Sequence, residues 1–179
     1  ALGEFFRKAS RSSWFANTLF VITADHPFKM NEHELPAYNT LEMQYRVPII
    51  FYCPGKIKPG RSEKIAQQVD IMPSVLDYIG YNECFNAYGI SLFSDTTNVT
   101  YQFDNNMFLI RDESHFIVFD GKKTVESSRS EAQDNNSSSG RPDESRSILQ
   151  LENKLKAIIQ TYSGQLASNG FCQCEQARR

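Results

Sequence analysis

The chain has 179 residues, 40% of them hydrophobic and 22% charged, the balance of a soluble globular protein with enough length for a real core. A net charge of -2 with no basic block excludes a nucleic-acid surface. No apolar run approaches a membrane span, because each is broken by charge or proline.

The chain opens without an initiator Met in a helix-like pattern, with Leu2, Phe5 and Phe6 on one side and Lys8 and Arg11 on the other. We therefore expect a piece of a longer protein, and an amphipathic helix from Leu2 to Ser12. Trp14 and Phe15 are expected to pack against the edge of a sheet.

Asn17-Thr18-Leu19-Phe20-Val21-Ile22-Thr23-Ala24-Asp25-His26-Pro27 is the most informative stretch. Thr18 to Thr23 is uncharged and rich in β-branched and aromatic residues. It reads as a strand buried on both faces, the kind found inside a parallel sheet. It stops abruptly at a carboxylate and an imidazole. In open α/β sheets ligands bind beyond the carboxyl ends of strands, so Asp25 and His26 stand where chemistry is kept. One hard oxygen and one imidazole nitrogen make half of a divalent-metal site. An isolated Asp-His pair also occurs as a turn with a satisfied histidine, and the preceding strand is what singles this one out.

Lys29 to Arg46 is polar and without periodicity. A loop of that length is functional or mobile. His33 within it and Arg46 at its end are candidate substrate contacts, a solvated loop histidine being the plain alternative for His33. Val47 to Cys53 is a second apolar strand, stopped by Pro54-Gly55, and the two strands point to a parallel or mixed sheet.

Asp70 is placed to cap a helix over Ile71–Ile79, with Pro73 in its first turn, Gly80 as its stop and Val75, Leu76 and Ile79 as its buried stripe. Met107–Arg111 and His115–Phe119, separated by Asp112-Glu113-Ser114, read as an antiparallel hairpin in which His115 is structural. Asp120-Gly121 makes another turn before a short strand at Lys122–Val125. Residues 127–147 are dense in Ser, Asn, Asp and Arg and read as a flexible polar segment. Ile148, Leu149, Leu151, Leu155, Ile158, Ile159 and Tyr162 recur at helical spacing, which gives a final amphipathic helix lying on the sheet. Residues 169–179 read as a tail.

The four cysteines form no framework. Cys53 falls in a strand, Cys84 in a loop, and Cys172 and Cys174 near the tail, so compartment is not legible from them. There is no Gly-rich phosphate loop, no G-x-S-x-G elbow and no H-E-x-x-H. A hydrolytic metal centre needs at least three protein ligands, and Asp25 and His26 supply two. Read alone, the chain is half of an active site.

Four pieces in order carry a resemblance: Asn17 to His26, Arg46-Val47-Pro48-Ile49-Ile50-Phe51-Tyr52-Cys53-Pro54-Gly55, Gln67-Gln68-Val69-Asp70-Ile71-Met72-Pro73-Ser74-Val75-Leu76, and Phe119-Asp120-Gly121-Lys122-Lys123-Thr124. Together they resemble the C-terminal portion of the sulfatase-like, lipoteichoic-acid-synthase-like branch of the alkaline phosphatase superfamily, most closely its Bacteroides-type members. The resemblance covers roughly Leu2 to Leu166 and is weakest over 127–147. It implies an α/β fold: the C-terminal part of an alkaline-phosphatase-like mixed sheet flanked by helices, with a small antiparallel hairpin region and a C-terminal helix. Residues 1–168 would be the C-terminal portion of a catalytic domain.

The implied function is that of a metal-dependent phosphoric or sulfuric ester hydrolase or transferase. Asp25 and His26 map onto the family's late metal-binding pair. The cation is manganese in many members, with magnesium, calcium and zinc as alternatives. The nucleophile and the early acidic ligand would lie in the rest of the parent chain, so this piece alone is expected to be inactive. The C-x-P-S-R signature of formylglycine sulfatases is absent, and Cys53-Pro54-Gly55-Lys56 does not match it. The implied partners are a phosphate- or sulfate-ester substrate, a lipid head group among the options, and no nucleic acid. The implied parent sits in the cell membrane with its catalytic domain outside, while this piece is itself soluble. The alternative from another class is a non-catalytic binding or interaction domain that retains the fold.

Overall fold

The computed structural model describes residues 1–27, 45–129 and 142–172. It divides into two units, Ala1–Glu63 and Lys64–Arg179.

The first unit begins with helix α1, Leu2–Ala9. Leu2, Phe5, Phe6 and Ala9 recur at the spacing that puts them on one face. Across the helix Glu4 pairs with Arg7 at 2.7 Å and Lys8 at 3.4 Å, exposed pairs of small energetic value. The helix is shorter than the Leu2–Ser12 of the sequence reading. It ends where Ser10 turns its hydroxyl back onto the Arg7 carbonyl, a bond that competes with continued helix.

A 3₁₀ turn at Phe15–Asn17 leads into β1, Phe20–Thr23. The partner strand is β2, Ile49–Tyr52. Phe6 and Phe15 each pack on both Phe20 and Tyr52, with ring centroids 5.1–6.2 Å apart in tilted or edge-on geometries. Trp14 lies 6.2 Å from Phe20. The expected role of Trp14 and Phe15 at the sheet is therefore met.

β1 and β2 pair antiparallel, with Phe20 opposite Tyr52 and Thr23 opposite Ile49. This corrects the parallel pairing inferred for the first strand. An apolar run states how deeply a strand is buried but not its direction, which the connection decides. The burial is also less than expected. The residues of β1 are half-buried or exposed, and Ile50 keeps 48% of its surface, because the sheet described around them has only two strands.

In the second unit a 3₁₀ turn, Gln68–Asp70, runs directly into α2, Ile71–Tyr78. The C-terminus closes as a Schellman motif: Tyr81 N–H donates to Leu76 O, Gly80 N–H donates to Asp77 O, and Gly80 takes φ +71°. The stop at Gly80 is thus as read from the sequence. Two other expectations for this helix fail. Ile79 is 62% exposed, and the fully enclosed face carries Pro73 and Ser74 instead.

Asp70 stands at the N-cap position but does not cap α2 with its side chain. Its backbone is helical (φ -79°, ψ -13°), whereas capping needs an extended residue there. The carboxylate turns elsewhere. It accepts from Gln67 N–H at 2.8 Å, Ile90 N–H at 2.9 Å and the Asn98 amide at 2.7 Å, and is fully buried. Ser74, equally buried, donates to Asp70 O and accepts from Leu92 N–H. The two side chains together fasten the segment 90–98 to the start of α2.

A four-stranded antiparallel meander follows: β3 Thr100–Asp104, β4 Met107–Arg111, β5 His115–Phe119 and β6 Thr124–Arg129, in that spatial order. The hairpin limits of β4 and β5 are those read from the sequence. Asn105 and Asn106 (φ +48° and +62°) give β3–β4 a two-residue turn of the kind that suits strand twist. Asp112 accepts the N–H groups of Ser114 and His115. Asp120 does the same for Lys122 and Lys123, and these backbone bonds hold its carboxyl below the usual aspartate range. His115 is buried in β5, in keeping with a structural role.

Helix α3, Pro142–Ser168, lies on this sheet. Leu151 and Leu155 meet Val99, Ile110, Ile117 and Phe119 in the core. The helix starts earlier than the apolar periodicity shows, since Pro142 takes its first position. Ser127–Arg129 belong to β6 and Pro142–Ser147 to α3, so both flanks of the expected flexible segment are regular structure. Residues 130–141 lie outside the described residues. After α3 a 3₁₀ turn at Gly170–Cys172 carries Phe171 against Tyr88 and Tyr162. Cys53 is buried and Cys84 is exposed.

The expected fold class is borne out in its elements: helices, a hairpin region and a C-terminal helix in one α/β chain.

Candidate metal-holding site

β1 ends at Thr23, and Asp25 and His26 follow within three residues. The pair is locally ordered. His26 N–H donates to Asp25 Oδ1 at 2.9 Å. His26 Nδ1 lies 2.9 Å from Pro27 O. A carbonyl only accepts, so Nδ1 carries the proton in this arrangement and Nε2 of the neutral ring keeps a lone pair.

That Nε2 lies 3.5 Å from Asp25 Oδ2. Two ligands of one tetrahedral cation, at bond lengths of about 2.0–2.2 Å, stand roughly 3.3–3.6 Å apart. The separation and the donor types therefore fit two positions of one divalent ion. Both side chains are open, with 78% of the histidine and 86% of the aspartate accessible. Among the described residues no group of three or more His, Cys, Asp or Glu side chains is arranged to hold a metal. The pair offers two donors of the kind the sequence reading expected.

The antiparallel ribbon has a consequence that parallel strands would not share. Thr23 faces Ile49, so the chain leaving β1 and the chain entering β2 emerge at the same end. Arg46, exposed and three residues before Ile49, is thereby brought to the end that holds Asp25 and His26. His33 lies outside the described residues. The orienting carbonyl of Pro27 was not singled out in the sequence. Its only signal there is adjacency to the histidine.

Among the described residues, the groups whose titration is displaced lie in the second unit and have structural causes. Burial, then the neighbouring charges of Asp70 and Tyr88, push the Tyr101 phenol up. Burial and Tyr162 do the same to Tyr88. Hydrogen bonds from Lys156 and Thr124 hold Glu152 below the usual glutamate range.

The fold is similar to that of a protein in the alkaline phosphatase superfamily. A crystal structure of a protein in that superfamily from Vibrio parahaemolyticus superposes with a TM-score of 0.68 at 20% identity, over 96% of this chain and 40% of that one. Residues 1–81, which include Asp25, His26 and Arg46, match the Sulfatase family. The chain is 30% identical over 100 residues to an arylsulfatase of Clostridium perfringens, covering 51% of this chain and 20% of that protein. It is 28% identical over 120 residues to lipoteichoic acid synthase 1 of Bacillus subtilis, covering 61% and 18% respectively. The matched stretches thus span about a fifth of either curated relative. The resemblance drawn from the four sequence pieces is borne out by these relatives and by the shared fold. No helix among the described residues is long and apolar enough to cross a membrane.

Proposed function

We propose that this chain carries the late metal-holding pair of an enzyme that hydrolyses or transfers phosphate or sulfate esters with a divalent cation. The observation that carries this reading is the 3.5 Å convergence of Asp25 Oδ2 and His26 Nε2 at a strand end within the Sulfatase match. Those two atoms are the ligands offered. Manganese is the cation proposed, on the resemblance to lipoteichoic acid synthase, with magnesium, calcium or zinc taking the same donors. When bound, such an ion lowers the pKa of a nucleophile and offsets charge growing on the ester oxygens.

This chain's own residues prepare the site. The Pro27 carbonyl fixes the histidine tautomer, and the His26 N–H holds Oδ1 so that Oδ2 faces the imidazole. Arg46, at the same end of the ribbon, provides a planar cation suited to a sulfate or phosphate oxyanion. His33 is proposed as a second substrate contact from its place in the connecting segment. A lipid-borne head group is among the substrates in scope, and the parent is proposed to sit in a cell membrane with this region outside. Both rest on the lipoteichoic acid synthase resemblance. By itself the chain is proposed to bind metal weakly and to turn over no ester.

The test is an assay of the purified chain with aryl sulfate and phosphodiester substrates in the presence of Mn²⁺. No turnover is expected. Robust activity that Asp25→Ala abolishes would overturn the half-site reading. Conversely, Mn²⁺ binding that ignores both Asp25→Ala and His26→Ala would favour a non-catalytic module that retains the fold.

A further inference from the structure

We draw no further inference here: the strongest candidate, the half-exposed apolar surface that Leu2, Phe5, Trp14, Ile50 and Tyr52 form on α1 and the β1–β2 ribbon, carries nothing because no element among the described residues shows what covers it.

Discussion

The side-chain amide of Asn98 donates to the buried carboxylate of Asp70 at 2.7 Å, and across 28 residues of sequence this bond ties the start of β3 to the start of α2. Backbone donors from Gln67 and Ile90 complete the shell around the carboxylate. An enclosed carboxylate is tolerated only because each of these donors meets it, and removing it leaves three donors without an acceptor. Asp70→Ala is expected to cost about 3–5 kcal/mol. Asp70→Asn must present its NH₂ to one set of donors and is also expected to destabilise, by about 1–3 kcal/mol. Urea unfolding followed by circular dichroism reads both. Unchanged midpoints would show that this shell contributes nothing.

Gly89 sits beside the same node. A Cβ there would lie 2.3 Å from the Val69 carbonyl oxygen and 2.6 Å from the Asp70 nitrogen, both backbone atoms that cannot swing away. Gly89→Ala is therefore expected to destabilise by more than about 2 kcal/mol, among the larger single-residue effects. A fall in thermal midpoint of several degrees is the expected reading.

The two faces of the apolar pattern can be separated by a paired substitution. Leu155 is enclosed by the sheet and Ile79 is mostly in solvent. Leu155→Ala is expected to cost about 2–5 kcal/mol, and Ile79→Ala to stay within about 0.5 kcal/mol. Equal losses in denaturant titrations would return Ile79 to the buried stripe that its helical spacing suggested.

Glu152 gives a pH dependence. The Lys156 ammonium and the Thr124 hydroxyl, which donates at 2.6 Å, hold its carboxyl below the ordinary value. A depressed folded-state value means the unfolded chain binds the proton first as pH falls. The stabilisation is present above the unfolded glutamate value of about 4.3 and is lost as pH drops through the folded one. Glu152→Gln should flatten the stability–pH profile below about pH 4.5 and leave its slope near neutrality unchanged. An identical acid limb in both proteins would contradict this.

How much of this was legible depended on whether the information is local. The β4–β5 hairpin was read to the residue because Asp112-Glu113-Ser114 is turn chemistry between two β-rich runs. The helix stop at Gly80 was legible for the same reason. Asp70 was misassigned because its three partners include Ile90 and Asn98, which no local pattern connects to it. β3 was not assigned from the sequence although Tyr101 and Phe103 alternate with the polar Gln102 and Asp104, a run too short and too polar to stand out beside the apolar β4 and β5. The direction of β2 relative to β1 lies in the connecting segment, beyond the reach of either strand's own sequence. The adjacency of Asp25 and His26 was legible, whereas the 3.5 Å approach of Oδ2 to Nε2 and the Pro27 carbonyl beside Nδ1 are three-dimensional features that the run of residues does not state.

Titration of Mn²⁺ into the chain, followed by calorimetry beside Asp25→Ala and His26→Ala, tests the proposed metal-holding role of this pair most directly. We expect weak binding to the unaltered chain, reduced at least tenfold by either substitution while the circular dichroism spectrum is unchanged. Equal binding by all three proteins would contradict the assignment of Asp25 and His26 as metal ligands.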